Sequence, residues 1–311
     1  MKTRPFKQVD VFTDTPYLGN PLAVVLDGTG LSDEEMQHFA HWTNLSETTF
    51  VLPPSAEAAA AGADYQVRIF TPADELPFAG HPTLGSCCAW LQAGGQAQAT
   101  DRIIQECKVG LVSIRRDGER LAFAAPALKR SAPEPTLLEK ITAALGLHPS
   151  QIIASQLLNN GPVFLGLLLD SPQTVLQLMP DYMALKTSGI LVGVAAVDTP
   201  GFATPLIARS NREARAFGPR SKSASAQENA PGLEVRVFTS PVGINEDPVT
   251  GSFNASLAQW LIAEGLAPSS YIAAQGACLG RAGRVHIEQD ATGQVWVGGE
   301  SVTCIDGHVR L

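Results

Sequence analysis

The stretch Val235–Ile262, VRVFTSPVGINEDPVTGSFNASLAQWLI, decides the fold. It reads as a short strand, a Gly/Pro/Asp loop and a helix whose first turn lies at Thr250, Gly251 and Ser252. The chain carries a near copy of it. Val67–Thr71 (VRIFT) matches Val235–Thr239 (VRVFT) at an offset of 168 residues, and Pro82–Leu91 (PTLGSCCAWL) matches Pro248–Leu257 (PVTGSFNASL) at an offset of 166. A repeated strand–loop–helix at a period far beyond the ~20–50 residues of solenoids predicts two copies of one domain. On this match His81, before Pro82, falls opposite Asp247, before Pro248. A helix start offers unpaired N–H groups and the positive end of a dipole, which suit an anion. Two such starts facing each other across a domain interface would hold a small acid from both sides.

With 311 residues the chain has room for two cores. The expected division is residues 1–128 and 129–311, with a last strand near 301–311 that returns to the first domain. Thr136 and Glu139 are read as a capping box opening a helix beyond a linker at Pro126–Pro135. A helix is predicted from Ser32, with Glu35 completing a capping box, to about Trp42, and strands at Phe6–Phe12, Pro21–Leu26, Thr48–Leu52 and Tyr65–Phe70. Further strands at Arg102–Cys107, Gly110–Arg115 and Arg120–Ala124 follow at hairpin spacing, and Ala56–Gly62 reads as a surface excursion. No charged residue occurs from Pro82 to Gly94, so that helix must be enclosed. The fold class is therefore α+β: two pseudo-symmetric domains, each a curled, mostly antiparallel, barrel-like sheet around a central buried helix. Asn211–Gly232 is read as a polar, exposed excursion.

The 22 basic and 30 acidic residues give a net charge of −8 without a basic stripe, which argues against nucleic acid and anionic membrane as partners. No apolar leader follows Met1, and the apolar runs Val163–Leu169 and Ile190–Val197 are shorter than the ~20 residues of a spanning helix, so a cytoplasmic protein is expected. The five cysteines (87, 88, 107, 278 and 304) lack CxxC spacing and read as free core thiols. No metal site is expected: His38 and His41 share a helix face without a third ligand nearby and read as exposed. His148 reads as a helix-end residue and Trp90 and Trp260 as core. Neither glycine-rich loop fits a nucleotide-binding pattern, so no cofactor is expected.

Three titratable residues remain. Asp247 alone would be a turn or cap residue, and its pairing with His81 is what raises interest. Glu47, at the end of the Asn44–Glu47 turn, would be a surface residue unless that turn reaches the cleft, where burial would raise its pKa and make it a proton shuttle. Ser252 and Ser86 lack the G-x-S-x-G of a nucleophile elbow, and Ser252 is read as a donor to a bound carboxylate.

These pieces resemble the phenazine-biosynthesis PhzF family, which shares the diaminopimelate-epimerase fold. The resemblance is carried by DVFTDTPYLGNPLAVV (Asp10–Val25), NLSETTFV (Asn44–Val51), FTPADELPFAGHPTLGS (Phe70–Ser86), INEDPVTGS (Ile244–Ser252) and QGACLGRAGRV (Gln275–Val285). It implies an active site between two similar domains and a homodimer. It puts Glu47 in the place of the catalytic proton carrier, His81 and Asp247 as assisting residues, and Gly80 and Ser252 at the substrate carboxylate. Asn20 and Gly251 complete the expected substrate-binding set. Phe253-Asn254 departs from the Ala-His of many relatives, so a different pocket wall is expected. The reading is a cofactor-independent isomerase of a small carboxylic acid. A non-catalytic carboxylate binder and a thiol epimerase are the alternatives, the latter disfavoured because Cys87 and Cys88 lie deeper than the helix mouths.

Overall fold

A computed structural model describes residues 1–118, 120–197 and 232–311. The expected excursion over residues 211–232 lies, save Gly232, outside them. The first half contains β1 (Thr3–Val11), β2 (Asn20–Val25), α1 (Asp33–Thr43), β3 (Thr48–Leu52), α2 (Ala56–Ala60), β4 (Tyr65–Phe70), β5 (Glu75–Leu76), α3 (Gly80–Gln92), β6 (Arg102–Cys107), β7 (Gly110–Asp117) and β8 (Arg120–Ala124). The second contains β9 (Lys129–Ser131), α4 (Pro135–Ala144), β10 (Ile152–Asn159), β11 (Val163–Leu169), α5 (Pro172–Gln177), α6 (Tyr182–Ser188), β12 (Leu191–Val197), β13 (Leu233–Thr239), β14 (Ile244–Asp247), α7 (Gly251–Ala263), β15 (Ser270–Gln275), β16 (Gly283–Gln289), β17 (Val295–Gly299) and β18 (Ser301–Arg310).

Backbone pairing runs without a break through β18–β1–β2–β3–β4–β6–β7–β8 and on through β17–β16–β15–β13–β12–β11–β10–β9. β5 adds to β4 and β14 to β13. The halves repeat one another pair by pair. In each, two neighbours are parallel, β2–β3 and β4–β6 in the first and β11–β12 and β13–β15 in the second. The strands expected at hairpin spacing, β6, β7 and β8, are antiparallel, and the parallel pairs are the minority in a mostly antiparallel sheet. The parallel ones arise because α1, α3, α5–α6 and α7 are crossovers, and a strand that returns by way of a helix re-enters in the same direction.

The outermost strands are exchanged. β9 follows β8 in the chain but pairs with β10, while β18 follows β17 and pairs with β1 over its full length, Thr3–Val11 against Ser301–Arg310. The supposed linker therefore carries a strand. The last strand, Ser301–Arg310, lies where a strand near 301–311 is expected, with partly exposed polar residues on both faces.

Each half closes around one helix. α3 packs against β1, β2, β3, β4, β8 and β18, and α7 against β10, β16 and β17. Leu84, Cys87 and Ala89 of α3 and Phe253, Ala255, Leu257, Ala258 and Leu261 of α7 are fully buried. At ~1.5–3 kcal/mol per large apolar side chain removed from water, these two helices anchor the cores. Trp260 is buried, and Trp90 stacks on Tyr65 with ring centroids 4.9 Å apart.

Local signals fared unevenly. The Ser32/Glu35 capping box forms. The Thr136/Glu139 box does not: Pro135 opens α4 with Glu134 before it and no side-chain cap, since proline's fixed φ suits a first helical position. Ala56–Ala60 is a short helix capped by Ser55, and His148 caps a 3₁₀ turn at Pro149–Gln151 instead of ending a helix. All five cysteines are free, but Cys278 is exposed and not a core thiol. No described helix is long and apolar enough to cross a membrane.

Candidate active site

The two central helices meet at their N-termini. A Cβ built on Gly80 would lie 3.3 Å from the Cα of Gly251, and one built on Gly251 would lie 3.3 Å from the Cα of Gly80. Glycine at both positions permits this approach. Neither helix has a side-chain cap, Ala79 preceding α3 and Thr250 preceding α7, so two positive helix ends converge on one place.

The true repeat differs from the sequence match. Both helices are 13 residues long, and Gly80 and Gly251 open them at an offset of 171. The match of Pro82 with Pro248 is thus five residues out of step (171 − 166). In the structural register His81 corresponds to Ser252, each the second residue of its helix, and not to Asp247, which ends β14. The misleading alignment set Pro82, Gly85 and Ser86, which lie inside α3, against Pro248, Gly251 and Ser252 at the entry to α7.

Asp247 is nevertheless brought to His81, by Asn20. The Asn20 Nδ2 donates to Asp247 Oδ1 at 3.0 Å and to the Val249 carbonyl at 2.9 Å, and lies 3.4 Å from His81 Nδ1. On the other side of the imidazole, Nε2 stands 3.4 Å from Glu47 Oε2. Glu47, His81, Asn20 and Asp247 thus form one group at the helix mouths, drawn from the α1–β3 turn, α3, β2 and β14. The Asn20 side chain is buried, and among the described residues its partners are this group's own members together with the Val249 carbonyl and Ser46 Oγ, the last at 3.5 Å from Oδ1. That geometry makes Asn20 a bridge within the group.

Burial sets the electrostatics. It raises Glu47 from 4.5 to about 7, against a hydrogen bond from Ser46. It lowers His81 from 6.5 to about 4, the nearby Asp247 and Asp10 opposing. It raises Asp247 from 3.8 to about 6, with the Glu47 charge adding to the effect and His81, Thr250 and Asn20 opposing it. Glu47 and His81 are close enough for an ion pair, yet a neutral imidazole makes their contact an uncharged-base-to-carboxyl one. Among the described residues, Glu47 Oε2 and His81 Nε2 are both buried without a hydrogen-bond partner. Such orphaned groups are costly and mark places where a ligand completes the bonding.

A second layer holds Asp247. Thr250 Oγ1 donates to Asp247 Oδ2 at 2.6 Å, and Gln275 Nε2 donates to the Asp247 carbonyl and to Thr250 Oγ1, each at 3.0 Å. Gln275 Oε1 in turn accepts from the Thr250 N–H and from Asn254 Nδ2. Thr250 and Gln275 were missed in sequence, although QGACLGRAGRV begins at Gln275. Phe253 is buried against Phe164, and Asn254 donates to the Thr250 carbonyl and to Gln275 Oε1. Ser252 is half-buried, its carbonyl accepting from Asn160 Nδ2 at 2.9 Å, while Ser86 is buried and donates to Thr49. Cys87 and Cys88 lie deeper on α3, and burial pushes their thiols up to about 12 and about 11, the reverse of an activated thiolate. His38 and His41 are exposed on α1. A cleft of about 450 Å³ bounded by Asp64, Gln98, Arg102 and Ser113 lies elsewhere on the first half.

Comparison with known proteins agrees with this architecture. The model of the phenazine biosynthesis-like (PhzC-PhzF) family matches residues 9–307. The chain is 34% identical to antisense-enhancing sequence 1 of Schizosaccharomyces pombe, covering 99% of both chains. It is 32% identical to a trans-2,3-dihydro-3-hydroxyanthranilate isomerase of Pseudomonas aeruginosa, covering 97% of this chain and 98% of that one. In structure it is similar to a PhzF-family protein of Bacillus anthracis, with a TM-score of 0.78 at 22% identity and full coverage of both chains. A hydroxyproline epimerase of Agrobacterium vitis shares the fold at a TM-score of 0.53 and 14% identity, covering 99% of this chain and 92% of that one. The chain therefore belongs to the phenazine biosynthesis-like family of isomerases, built on the two-lobed epimerase fold.

Proposed function

We propose that the protein moves a proton between carbons of a small carboxylic acid without a cofactor, with Glu47 as the proton carrier. The observation that carries this reading is a pair of buried atoms, Glu47 Oε2 and His81 Nε2, unpartnered among the described residues and standing at two uncapped helix starts. The substrate carboxylate sits against the N–H groups around Gly80 and Gly251–Ser252, where both dipoles favour negative charge. Ser252 supplies a hydroxyl there. Glu47, raised to about 7, is poised to take a proton from an activated C–H and to return it at another carbon of the same conjugated system. His81 and Asp247 orient the substrate and the proton path. A cyclic dihydro-hydroxy amino acid of the kind named for the Pseudomonas aeruginosa relative is the first substrate to try.

Glu47→Gln removes the carrier while keeping shape and neutral hydrogen bonding. It is expected to retain substrate binding by calorimetry and to lose solvent-deuterium incorporation by at least about 10²–10⁴-fold, the contribution typical of a positioned acid–base group. Deuterium exchange at the wild-type rate in that variant would require the proposal to be abandoned. Alkylation of the accessible thiol at Cys278 is expected to leave exchange unchanged.

A further inference from the structure

The Asn20 amide can be oriented in only one way. Its nitrogen faces two acceptors, Asp247 Oδ1 at 3.0 Å and the Val249 carbonyl at 2.9 Å. Were the amide reversed, its oxygen would face a carboxylate oxygen and a carbonyl with no proton between them. The two hydrogens of Nδ2 are therefore directed at those two oxygens. That same nitrogen is the polar atom against His81 Nδ1, at 3.4 Å. An amide NH2 is a donor with no acceptor capacity, so an Nδ1–H directed at it would find hydrogen against hydrogen. A lone pair on Nδ1, by contrast, faces the positive edge of the amide. His81 is 5% exposed, so little of the ring is open to solvent.

We infer that Asn20 is a positioning residue that fixes His81 as the neutral tautomer protonated at Nε2, so that the imidazole presents a hydrogen-bond donor to Glu47 and to the substrate beside it. The donor role rests on the function proposed above; the tautomer does not. The consequence is a division of labour between the two groups 3.4 Å apart. His81 gives a hydrogen bond to charge that develops on the substrate, and Glu47 alone is left to act as base. Low proton affinity suits the donor role, since the neutral imidazole persists through the physiological range. Asn20 also explains how Asp247 acts on His81 without touching it: the carboxylate polarises the amide, and the amide holds Nδ1 free of a proton.

The test is a long-range proton–nitrogen NMR spectrum of the full chain with ¹⁵N-labelled histidine at pH 7, the His81 signals being those lost in His81→Gln. The expected wild-type spectrum has a pyridine-like Nδ1 and a pyrrole-like Nε2. An Nδ1–H pattern, or an even mixture, overturns the assignment whatever the activity proves to be. Asn20→Ala is expected to give exchange-averaged tautomers, with the fold checked by near-ultraviolet circular dichroism. A pure Nε2–H pattern in a folded Asn20→Ala shows that another group sets the tautomer and overturns the role of Asn20. If Asn20→Ala does not fold, the wild-type spectrum still decides the tautomer, and Asn20→Asp is then used. Its carboxylate places an acceptor at Nδ1 and is expected to move the proton there, whereas an unmoved proton overturns the role. Wild-type exchange in Glu47→Gln beside an Nε2–H spectrum would remove the proposed function and leave the tautomer standing.

Discussion

One small device occurs in both halves, and its two copies differ in what surrounds them. In the first, Arg68 of β4 donates to both carboxylate oxygens of Glu75, at 2.8 and 2.6 Å, and lies 5.1 Å from the ring centroid of Phe70. In the second, Arg236 of β13 donates to both oxygens of Glu246, at 2.8 Å each, and lies 5.1 Å from the ring centroid of Phe238. The first clip is on the rim. The Arg68 side chain is 21% exposed and also pairs with Asp33, while Glu75 also pairs with Lys108. The second is sealed, with side chains 4% and 3% exposed and the Val175 and Leu178 carbonyls accepting from Arg236 Nη1. The same local code thus yields a solvated fork in one half and a buried one in the other, because α5 and the turn after it cover only the second. Glu246 is the neighbour of Asp247 and points to the opposite face of β14. The sealed clip therefore holds the strand that delivers the second half's only titratable member of the active group.

Breaking each clip should separate the copies most clearly. Arg236→Met leaves Glu246 buried and unpaired, and a loss of about 3–5 kcal/mol is expected in urea unfolding. Replacing both partners, Arg236→Met with Glu246→Leu, is expected to recover most of that stability while still lowering deuterium exchange, since Asp247 loses its anchor. Full activity in the double variant would show that the clip stabilises but does not position. Next in size is the helix junction. A Cβ at Gly80 meets the Phe123 ring at 2.7 Å, whereas one at Gly251 meets nothing nearer than 3.3 Å. Gly80→Ala is therefore expected to cost about 1–3 kcal/mol and Gly251→Ala clearly less.

The pH dependence follows, with an effect on the order of 1–3 kcal/mol. Glu47 and Asp247 bind protons more tightly folded than unfolded, so the stability they add is complete below about 4.5 and 3.8 and is lost as pH rises through about 7 and about 6. His81 acts the other way: its contribution is complete above 6.5 and is lost as pH falls through about 4. Glu47→Gln should therefore flatten the loss between pH 5 and 7 and leave the acid limb of His81 in place, which thermal unfolding across pH would reveal. Smallest of all is Arg68→Met. Water and Lys108 compensate Glu75, and a cost of about 1 kcal/mol or less is expected. A loss as large as that of Arg236→Met would mean that shielding does not distinguish the copies.

What the chain revealed in advance was what local pattern controls. Thr48–Leu52, Tyr65–Phe70 and Arg102–Cys107 occur at their expected bounds, because each alternates or is uniformly apolar between turn residues. β14 and β15 escaped notice: the first is too short to show a period, and the second follows a loop of small residues. In the active group, the helix-mouth residues and Glu47 were legible through sequence pattern and family resemblance. The bridge was not, since Asn20 and Asp247 are 227 residues apart and only packing joins them. The arginines of VRIFT and VRVFT were in plain view. Their carboxylate partners follow after loops of unequal length, so no fixed spacing announced them.

The crossed outer strands bear on how the chain is made. Synthesis proceeds from the N-terminus, so the first lobe emerges long before Ser301–Arg310, the segment that flanks β1. Until Ser301–Arg310 leaves the ribosome, β1 offers a bare hydrogen-bonding margin, and Lys7, 6% exposed in the folded protein, waits for its partner Asp306. Neither lobe can be cut free as an independent module without taking a strand from the other, and a nascent chain stopped before Ser301 would present an adhesive flank to its neighbours.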